Sequence, residues 1–256
     1  MSLRREAFEV GERPRIEVRT RTGRIRVDRH DDGGLEVTID GKNADSFIVE
    51  QYGDAISIRQ ASERSLSTGS HKVLLRVPHD SEIDIGVASA DVEVVSTVGD
   101  LRVSAASGDV SARMIERDLT VKAASGDVDV EEVGGRVQIT TASGDVDIRA
   151  VGRHLTASTA SGDIEIGTAS GDVRVKTASG DVGVAHFLGG ALDCKTVSGD
   201  LSAAIPSGRR VEVDLQTMTG NVRLPEGRRD ATDSHDGESA SIRFRSVSGD
   251  IRLDRA

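Results

Sequence analysis

The aspartates of this sequence are regularly spaced, and their carboxylates are the side chains that could bind a ligand or take part in chemistry. Ala-Ser-Gly-Asp followed by Val or Ile recurs along the chain, and its aspartates are Asp109, Asp127, Asp145, Asp163, Asp172 and Asp181. The first four are 18 residues apart, so stacked repeats would bring their carboxylates to within about 5 Å of one another. Two such charges repel by about 1 kcal/mol in water and by a few times more near a protein surface.

Two arrangements could relieve this repulsion. Serine hydroxyls and backbone amides of the turn can donate hydrogen bonds to the carboxylates, or a divalent cation can bind between them. The calcium-binding nonapeptide has a glycine two residues before its Asp, whereas glycine and Asp are adjacent here. We therefore predict turn aspartates and no metal site, and keep a calcium ladder at Asp109, Asp127, Asp145 and Asp163 as the alternative.

Catalytic motifs are not evident in the sequence. The histidines follow no metal-ligand spacing: His30, His71, His79, His154, His186 and His235. Acidic pairs on neighbouring strands could reach the separation that glycosidases use, but residues 82–182 contain no aromatic residue to stack on a sugar ring. We predict no enzyme, no catalytic residue and no cofactor, with a carbohydrate-active enzyme on a β-helix as a remote alternative.

The elements that must position the aspartates are short strands. Each unit reads Ala-Ser-Gly-Asp-Val-x-Val-x-Thr, in which the Val-x-Val alternation indicates a half-buried strand. Steps of 9 and 18 residues between turns give a nine-residue half-coil and two half-coils per coil, with strict turns on one edge and looser turns on the other. We predict an all-β fold, a parallel β-solenoid (β-helix). Its structural turn glycines are Gly108, Gly126, Gly144, Gly162, Gly171, Gly180 and Gly199.

The ends of the chain depart from the repeat and are expected to be irregular β caps. We predict one domain, 1–256, with regular repeats over 81–205. Residues 1–80 should hold strands at 16–19, 24–28, 35–39, 47–50, 56–59 and 73–77, with a polar loop at 60–72. The C-terminal cap, 206–256, should contain a long flexible loop at 225–241 before a closing strand at 242–245.

Charge and hydropathy exclude several partners. The net charge of −10 repels phosphate backbones, so nucleic-acid binding is not expected. The first thirty residues are rich in arginine, which predicts a solvated strand face or, alternatively, a patch for an anionic partner. The single Cys194 is expected to be a small packing residue. No apolar run suits a signal peptide or a membrane span, so we expect a cytoplasmic protein with no direct membrane insertion.

The repeats resemble a known family. Thr-Ala-Ser-Gly-Asp-Val-x-Val units preceded by Phe8-x-Val10-Gly11 and by residues 23–27 (Gly-Arg-Ile-Arg-Val) are similar to the bacterial "putative adhesin" β-strand-repeat family, a domain of unknown function. The resemblance implies a β-helical fold, often envelope-associated, and no known activity. We expect a non-catalytic scaffold that binds an unknown protein partner or self-associates, with a surface or envelope-stress adhesin as the alternative.

Overall fold

The computed structural model describes residues 2–42, 44–61, 71–208, 210–225 and 239–255. The chain separates into two compact units, Met1–Gly135 and Arg136–Ala256. Each is built from β-strands, and a single 3-10 turn, η1 (Ala44–Ser46), occurs in the described residues. None of the helical structure in these ranges is long and apolar enough to cross a membrane. The prediction of one domain, 1–256, stays a prediction.

The first unit contains long strands at its start and short ones after them. In its described part these are β1 (Ser2–Phe8), β2 (Arg15–Arg29), β3 (Leu35–Gly41), β4 (Phe47–Tyr52), β5 (Ala55–Gln60), β6 (His71–Val77), β7 (Glu82–Val98), β8 (Asp100–Ser107), β9 (Val110–Ile115), β10 (Leu119–Ser125) and β11 (Val128–Val133).

The short strands form two parallel stacks. Strands that precede a Ser-Gly-Asp turn form the leading stack, and strands that follow it form the trailing stack. In the first unit β8 pairs with β10 in the leading stack, and β9 pairs with β11 in the trailing stack. Each register advances by 18 residues, as in Leu101 with Leu119. β2 and β7 are long enough to serve both stacks, and they pair in parallel from Arg15–Glu82 to Val27–Val94.

The start of the first unit is an ordered antiparallel cap. β1 pairs with β3 and β3 with β6, all antiparallel, and β4 pairs antiparallel with β5. The expected strands of residues 1–80 are all present, but 16–19 and 24–28 belong to the single strand β2. β1 was not predicted, because its burial alternates between exposed and half-buried and its sequence is charged.

The second unit continues the same coil design. Its described strands are β12 (Val137–Ser143), β13 (Val146–Val151), β14 (Leu155–Ser158), β15 (Ile164–Ala169), β16 (Val173–Lys176), β17 (Val182–Phe187), β18 (Ala191–Lys195), β19 (Leu201–Ile205), β20 (Val211–Thr219), β21 (Val222–Arg223), β22 (Ala240–Ser248) and β23 (Ile251–Arg255). The predicted parallel β-solenoid is confirmed within each unit.

The C-terminal coils do not stack in chain order. β22 pairs in parallel with β18 on one side and with β20 on the other, and β23 pairs with both β19 and β21. The closing strand at 242–245 lies within β22 and is therefore an inserted coil, while β20–β21 forms the last one. The prediction that residues 242–245 form the closing strand of the stack was wrong. As a result of this insertion, Phe244 of β22 is fully buried between the coils on either side.

The core consists of the inward side chains of both stacks. Val146, Ile148, Ile164 and Ile166 are at most 1% exposed, and the residues between them point outward. Layers of branched aliphatic side chains one coil apart fill most of this space, and Phe187 and Phe244 are buried among them in the second unit. Of the predicted loops, residues 62–70 and 226–238 lie outside the described residues. Lys72 is part of β6 and Ser241 is part of β22, so both loops were predicted too long.

The Ser-Gly-Asp turns bring successive coils into backbone contact. Six of the predicted turn glycines have positive φ: Gly108, Gly126, Gly144, Gly162, Gly180 and Gly199. A β-carbon on Gly162 would lie 2.2 Å from the carbonyl oxygen of Gly144, one coil earlier. Only glycine satisfies both the dihedral angle and this close approach.

Gly171 differs from the other predicted turn glycines. It is not among the glycines with positive φ, and it lies on the edge of the looser turns, where the chain passes from a trailing to a leading strand. A β-carbon there would still lie 1.6 Å from the carbonyl oxygen of Arg153. This close contact alone requires glycine at position 171, because the turn there does not use the left-handed conformation.

We predict that Gly162→Ala destabilises the protein by roughly 3 kcal/mol or more, because the methyl group would add backbone overlap to the strain of a positive φ. The measurement is the free energy of unfolding from denaturant titration. Gly208→Ala is the control, since Gly208 also has a positive φ (83°) but has nothing within 4 Å of its β-carbon position. Equal losses in the two variants would contradict the role of the coil-to-coil contact.

Candidate functional site

The aspartates of the strict turns form a hydrogen-bonded ladder in the second unit. Oδ1 of Asp145 accepts the backbone N–H of Asp163 at 2.9 Å, and Oδ1 of Asp163 accepts the N–H of Asp181 at 2.8 Å. Asp181 and Asp200 accept the corresponding N–H groups of the following coils at 2.7 Å each. The ladder ends where the N–H of Asn221 donates to Oδ1 of Asp250 at 2.8 Å.

The first unit has the same ladder, formed over fewer coils. Asp109 donates its N–H to Oδ1 of Asp91 at 3.4 Å, and Asp127 donates to Oδ1 of Asp109 at 3.1 Å. On the looser edge, Asp118 donates to Oδ1 of Asp100 at 3.1 Å. The side chains of Asp109 and Asp163 each accept a backbone N–H, so they act as turn residues that hold the next coil.

Threonines beneath the turns support the ladder from inside. The hydroxyl of Thr159 donates to the carbonyl of Ser161 at 2.9 Å, and Thr141, Thr177 and Thr196 make the equivalent bond. These threonines are buried, and each hydroxyl has this partner inside the turn. The last residue of the Ala-Ser-Gly-Asp-Val-x-Val-x-Thr unit thus closes the turn that follows it.

Metal binding is not indicated by the arrangement of the ladder. No group of three or more His, Cys, Asp or Glu side chains in the described ranges is arranged to hold a metal ion. The backbone N–H groups already stabilise the carboxylates that stack along the turn edge. The absence of a metal site stays a prediction, with the calcium ladder at Asp109, Asp127, Asp145 and Asp163 as its alternative.

A groove with mixed charge crosses the trailing stack of the second unit. Its outward row of neighbours runs Glu165, Gly183, Ser202, Arg252 and Arg223, one residue from each successive strand. Of this row, Glu165, Ser202, Arg252 and Arg223 line an open cleft of about 320 Å³ together with the turn aspartates Asp181, Asp200 and Asp250. We call these residues the mixed-charge groove. Glu165 and Arg252 are three coils apart, which is about 14 Å.

Small residues form the floor of the mixed-charge groove. Oε2 of Glu165 lies 2.1 Å from the position that a β-carbon on Gly183 would occupy, so the carboxylate lies flat over this glycine. This contact with the sheet removes water and raises the pKa of Glu165, and the nearby charges of Asp147, Asp163 and Asp181 raise it further. At the other end Arg252 contacts Asp254 at 2.6 Å.

The groove was not predicted from the sequence. The sequence feature that could have revealed it is the outward residue between the two inward positions of each trailing strand. In successive trailing strands this residue is Glu165, Gly183, Ser202 and Arg252. Within a single nine-residue repeat, none of these residues by itself indicates a binding site. Their alignment depends on the 19-residue step from Val182 to Leu201 and on the insertion of β23 next to β19.

The N-terminal arginines are largely paired with acids. In β2, Arg19 contacts Asp84 at 2.8 Å, and Arg26 contacts Glu93 at 2.9 Å. Arg4, Arg5, Arg13 and Arg24 also lie within ion-pair distance of an acid. This pairing supports the solvated strand face, because the acids cancel most of the local positive charge.

Cys194 is fully buried in β18. Its partners in register are Val175 and Phe244, and burial raises the pKa of its thiol far above the ordinary value. The group is therefore held as a neutral thiol inside an apolar layer, and its thiolate is not accessible for chemistry. Among the aromatic residues, Phe187 and Phe244 are also fully buried.

The chain is similar to known proteins in sequence pattern and in fold. A family model described as "Toastrack DUF4097" matches residues 14–254. A crystal structure of a "putative adhesin" from Bacteroides fragilis is similar with a TM-score of 0.53 and 15% identity, and the match covers 98% of this chain and 97% of that one. A "putative adhesin" from Parabacteroides distasonis gives a TM-score of 0.46 and 16% identity, over 98% and 97% of the chains. No curated protein sequence matches the chain.

We predict that Asp163→Ala destabilises the protein by about 1 kcal/mol, because the N–H of Asp181 loses its acceptor. Asp163→Asn should retain wild-type stability or exceed it, since the amide oxygen still accepts the bond and the repulsion from neighbouring carboxylates falls. Denaturant unfolding of both variants measures the difference. An Asn variant as unstable as the Ala variant would show that the charge, and not the hydrogen bond, holds the turn.

We also predict that calcium leaves the melting midpoint unchanged. A ligand that binds the folded state raises the midpoint with its concentration, whereas the carboxylates here already accept backbone hydrogen bonds. Thermal melts of the full chain in excess calcium and then in excess chelator provide the test. A midpoint that rises with calcium and falls on chelation, and does so less in Asp163→Asn, would establish the calcium ladder.

Proposed function

The chain belongs to the Toastrack DUF4097 family, as its repeats indicated, and we propose that it is a non-catalytic, adhesin-like binding scaffold. The solenoid supplies a rigid row of outward side chains, and the mixed-charge groove is the place where that row offers shape and charge together. This groove is the observation that carries the proposal. The protein partner binds here through an extended polypeptide segment.

The charges of the groove determine which kind of peptide segment binds there. Glu165, with Asp181 beside it, attracts a lysine or arginine, while Arg252 and Arg223 attract a carboxylate. The separation of about 14 Å between the two ends matches four residues of extended chain. Glu165 covers Gly183, so the backbone of such a segment approaches the sheet at Ser202, whose short side chain lines the cleft. A segment with a basic and an acidic residue four positions apart is therefore the expected ligand.

The alternatives have less support from the structure. Phe187 and Phe244 are buried in the core and cannot stack on a sugar ring, which favours binding over glycoside chemistry. The similarity to the Bacteroides fragilis "putative adhesin" concerns the fold. A role at the cell surface is compatible with the same groove, and a cytoplasmic location stays part of the proposal only as the sequence-based expectation.

We predict that Glu165→Gln weakens binding of the peptide Lys-Gly-Ser-Gly-Glu at least about threefold, because the lysine loses its carboxylate partner. NMR titration of the full chain measures the dissociation constant, and the Gly183 and Ser202 amides should shift. Binding should also weaken as the pH falls through the raised pKa of Glu165, because its carboxylate becomes neutral.

The matched control is Glu132→Gln, an exposed glutamate on β11 of the first unit, which should bind as the wild type does. The peptide Lys-Gly-Ser-Gly-Lys controls for general attraction to an acidic protein and should bind more weakly. Equal binding by wild type and Glu165→Gln, or shifts spread over the whole surface, would overturn the groove as the binding site.

A further inference from the structure

The last coil of the second unit exposes side chains that are buried in every coil before it. Val213 and Leu215 of β20 are in register with Ile242 and Phe244 of β22, both 0% exposed. Val213 is 41% exposed, and Val222 and Leu224 beyond it are 45% and 58% exposed. The inward positions of this coil thus form an apolar end surface, which we call the terminal coil face: Val211, Val213, Leu215, Val222 and Leu224.

The edge of β20 also offers backbone groups. β20 pairs with β22 on one side, and within the described ranges no strand pairs with its other side. An exposed edge with apolar inward residues is a template for pairing with another strand. Charged or proline gatekeepers on the inward positions would prevent this, but those positions hold Val211, Val213 and Leu215.

Among the described residues, no strand packs over this face. Residues 226–238, between β21 and β22 in sequence, contain one apolar residue, Ala231, and are otherwise polar, charged or glycine. Their composition supplies no side chains to replace a core layer of Val and Leu. In the first unit the edge strand β1 carries Arg4, Arg5 and Glu6 instead of a matching apolar face.

We propose that the terminal coil face binds the same face of a second copy of this chain. A twofold axis normal to the sheets would set β20 antiparallel to β20 of the partner subunit and extend the core by one coil. Such an interface is isologous and closes at the dimer. The proposal goes beyond the binding scaffold and does not depend on the mixed-charge groove.

The two acidic residues of β20, Glu212 and Asp214, face uncharged residues in one antiparallel register. When Leu215 faces Leu215 of the partner subunit, Asp214 faces Gln216 of the partner subunit, and Val213 faces Thr217 of the partner subunit. No like charges are opposed in this register. Within the chain, Asp214 already contacts Arg243 at 3.3 Å and accepts a hydrogen bond from Gln216 at 3.0 Å. The amide of Gln216 can make the same bond across the interface.

The size of the face sets the strength of the dimer. A nine-residue strand is about 30 Å long, and two sheets with their side chains are about 20 Å wide, so each copy buries about 600 Å². The total of about 1,200 Å² is at the lower limit of specific interfaces. The dimer is therefore concentration-dependent, and it dissociates on dilution.

Sedimentation velocity of the full chain, from low micromolar to the highest soluble concentration, tests the proposal. We expect a monomer–dimer equilibrium whose dissociation constant rises at least about tenfold in Val213→Lys, because a lysine would be buried in the new core layer. Val247→Lys is the matched control. Val247 is similarly exposed, at 46%, but lies on β22 beside the strict turn, and its variant should dimerise as the wild type does.

Disulfide cross-linking tests the register. Leu215→Cys should form a covalent dimer on mild oxidation, because residue 215 faces itself across the axis. Glu212→Cys should not, since it would face Met218 of the partner subunit. The native Cys194 is buried and does not compete. Unchanged melting midpoints of these variants would confirm that the monomer remains folded.

Several results would overturn the proposal. These are a monomer at every concentration, a dimer that Val213→Lys leaves intact, and cross-linking of Glu212→Cys as efficient as that of Leu215→Cys. A monomer that floats with phosphatidylcholine vesicles in a Val213-dependent way would assign the face to a lipid surface instead. Peptide binding that depends on Glu165 and persists in monomeric Val213→Lys would leave the groove proposal standing.

Discussion

The structure depends on a close approach of backbone to backbone at each strict turn. The carbonyl oxygen of Gly144 lies only 2.2 Å from the position that a β-carbon on Gly162 would occupy, and the same contact recurs between Gly162 and Gly180. It brings the N–H of each turn aspartate within reach of the carboxylate one coil earlier, as in Asp163 with Asp145. The 18-residue step, the aspartate ladder and the layered core all follow from this contact, because each requires successive coils to stack without offset.

The repeated carboxylates are consequently part of the architecture. Each stabilises a backbone N–H, and the acidity of the turn edge is a consequence of that role. The outward side chains of the proposed binding groove lie where the repeat is broken. Gly183 replaces a longer side chain and lets Glu165 lie flat, and Arg252 arrives from a coil that is distant in sequence. A perfect repeat would present the same side chain in every coil and could not separate a cation site from an anion site.

A coil at the end of a stack has no neighbouring coil to cover one side of its core layer. Every coil buries its inward side chains under the next one, so the last coil lacks a neighbour on one side. The first unit begins with antiparallel strands that turn the chain back on itself, as β1 and β3 do. The second unit ends on β20 and β21, whose Val213 and Val222 keep the inward pattern without a layer above them in the described structure. A subunit interface is one physical solution to that geometry.

The sequence alone determined the coil, because its nine-residue period, its alternation of Val-x-Val and its glycines are local properties that any stacking must satisfy. It also indicated the family and the role of the turn aspartates. It did not reveal strand β1, the close contact that requires glycine at position 171, or the mixed-charge groove. All three depend on which strands become neighbours in the sheet. Neighbouring strands are paired through residues that are far apart in the chain, such as Leu201 and Ile251. Only the tertiary structure decided that β22 and β23 insert before β20 and β21, because the repeat pattern is compatible with any order of stacking. That insertion placed Arg252 opposite Glu165 in the groove and left an apolar coil at the end of the stacks.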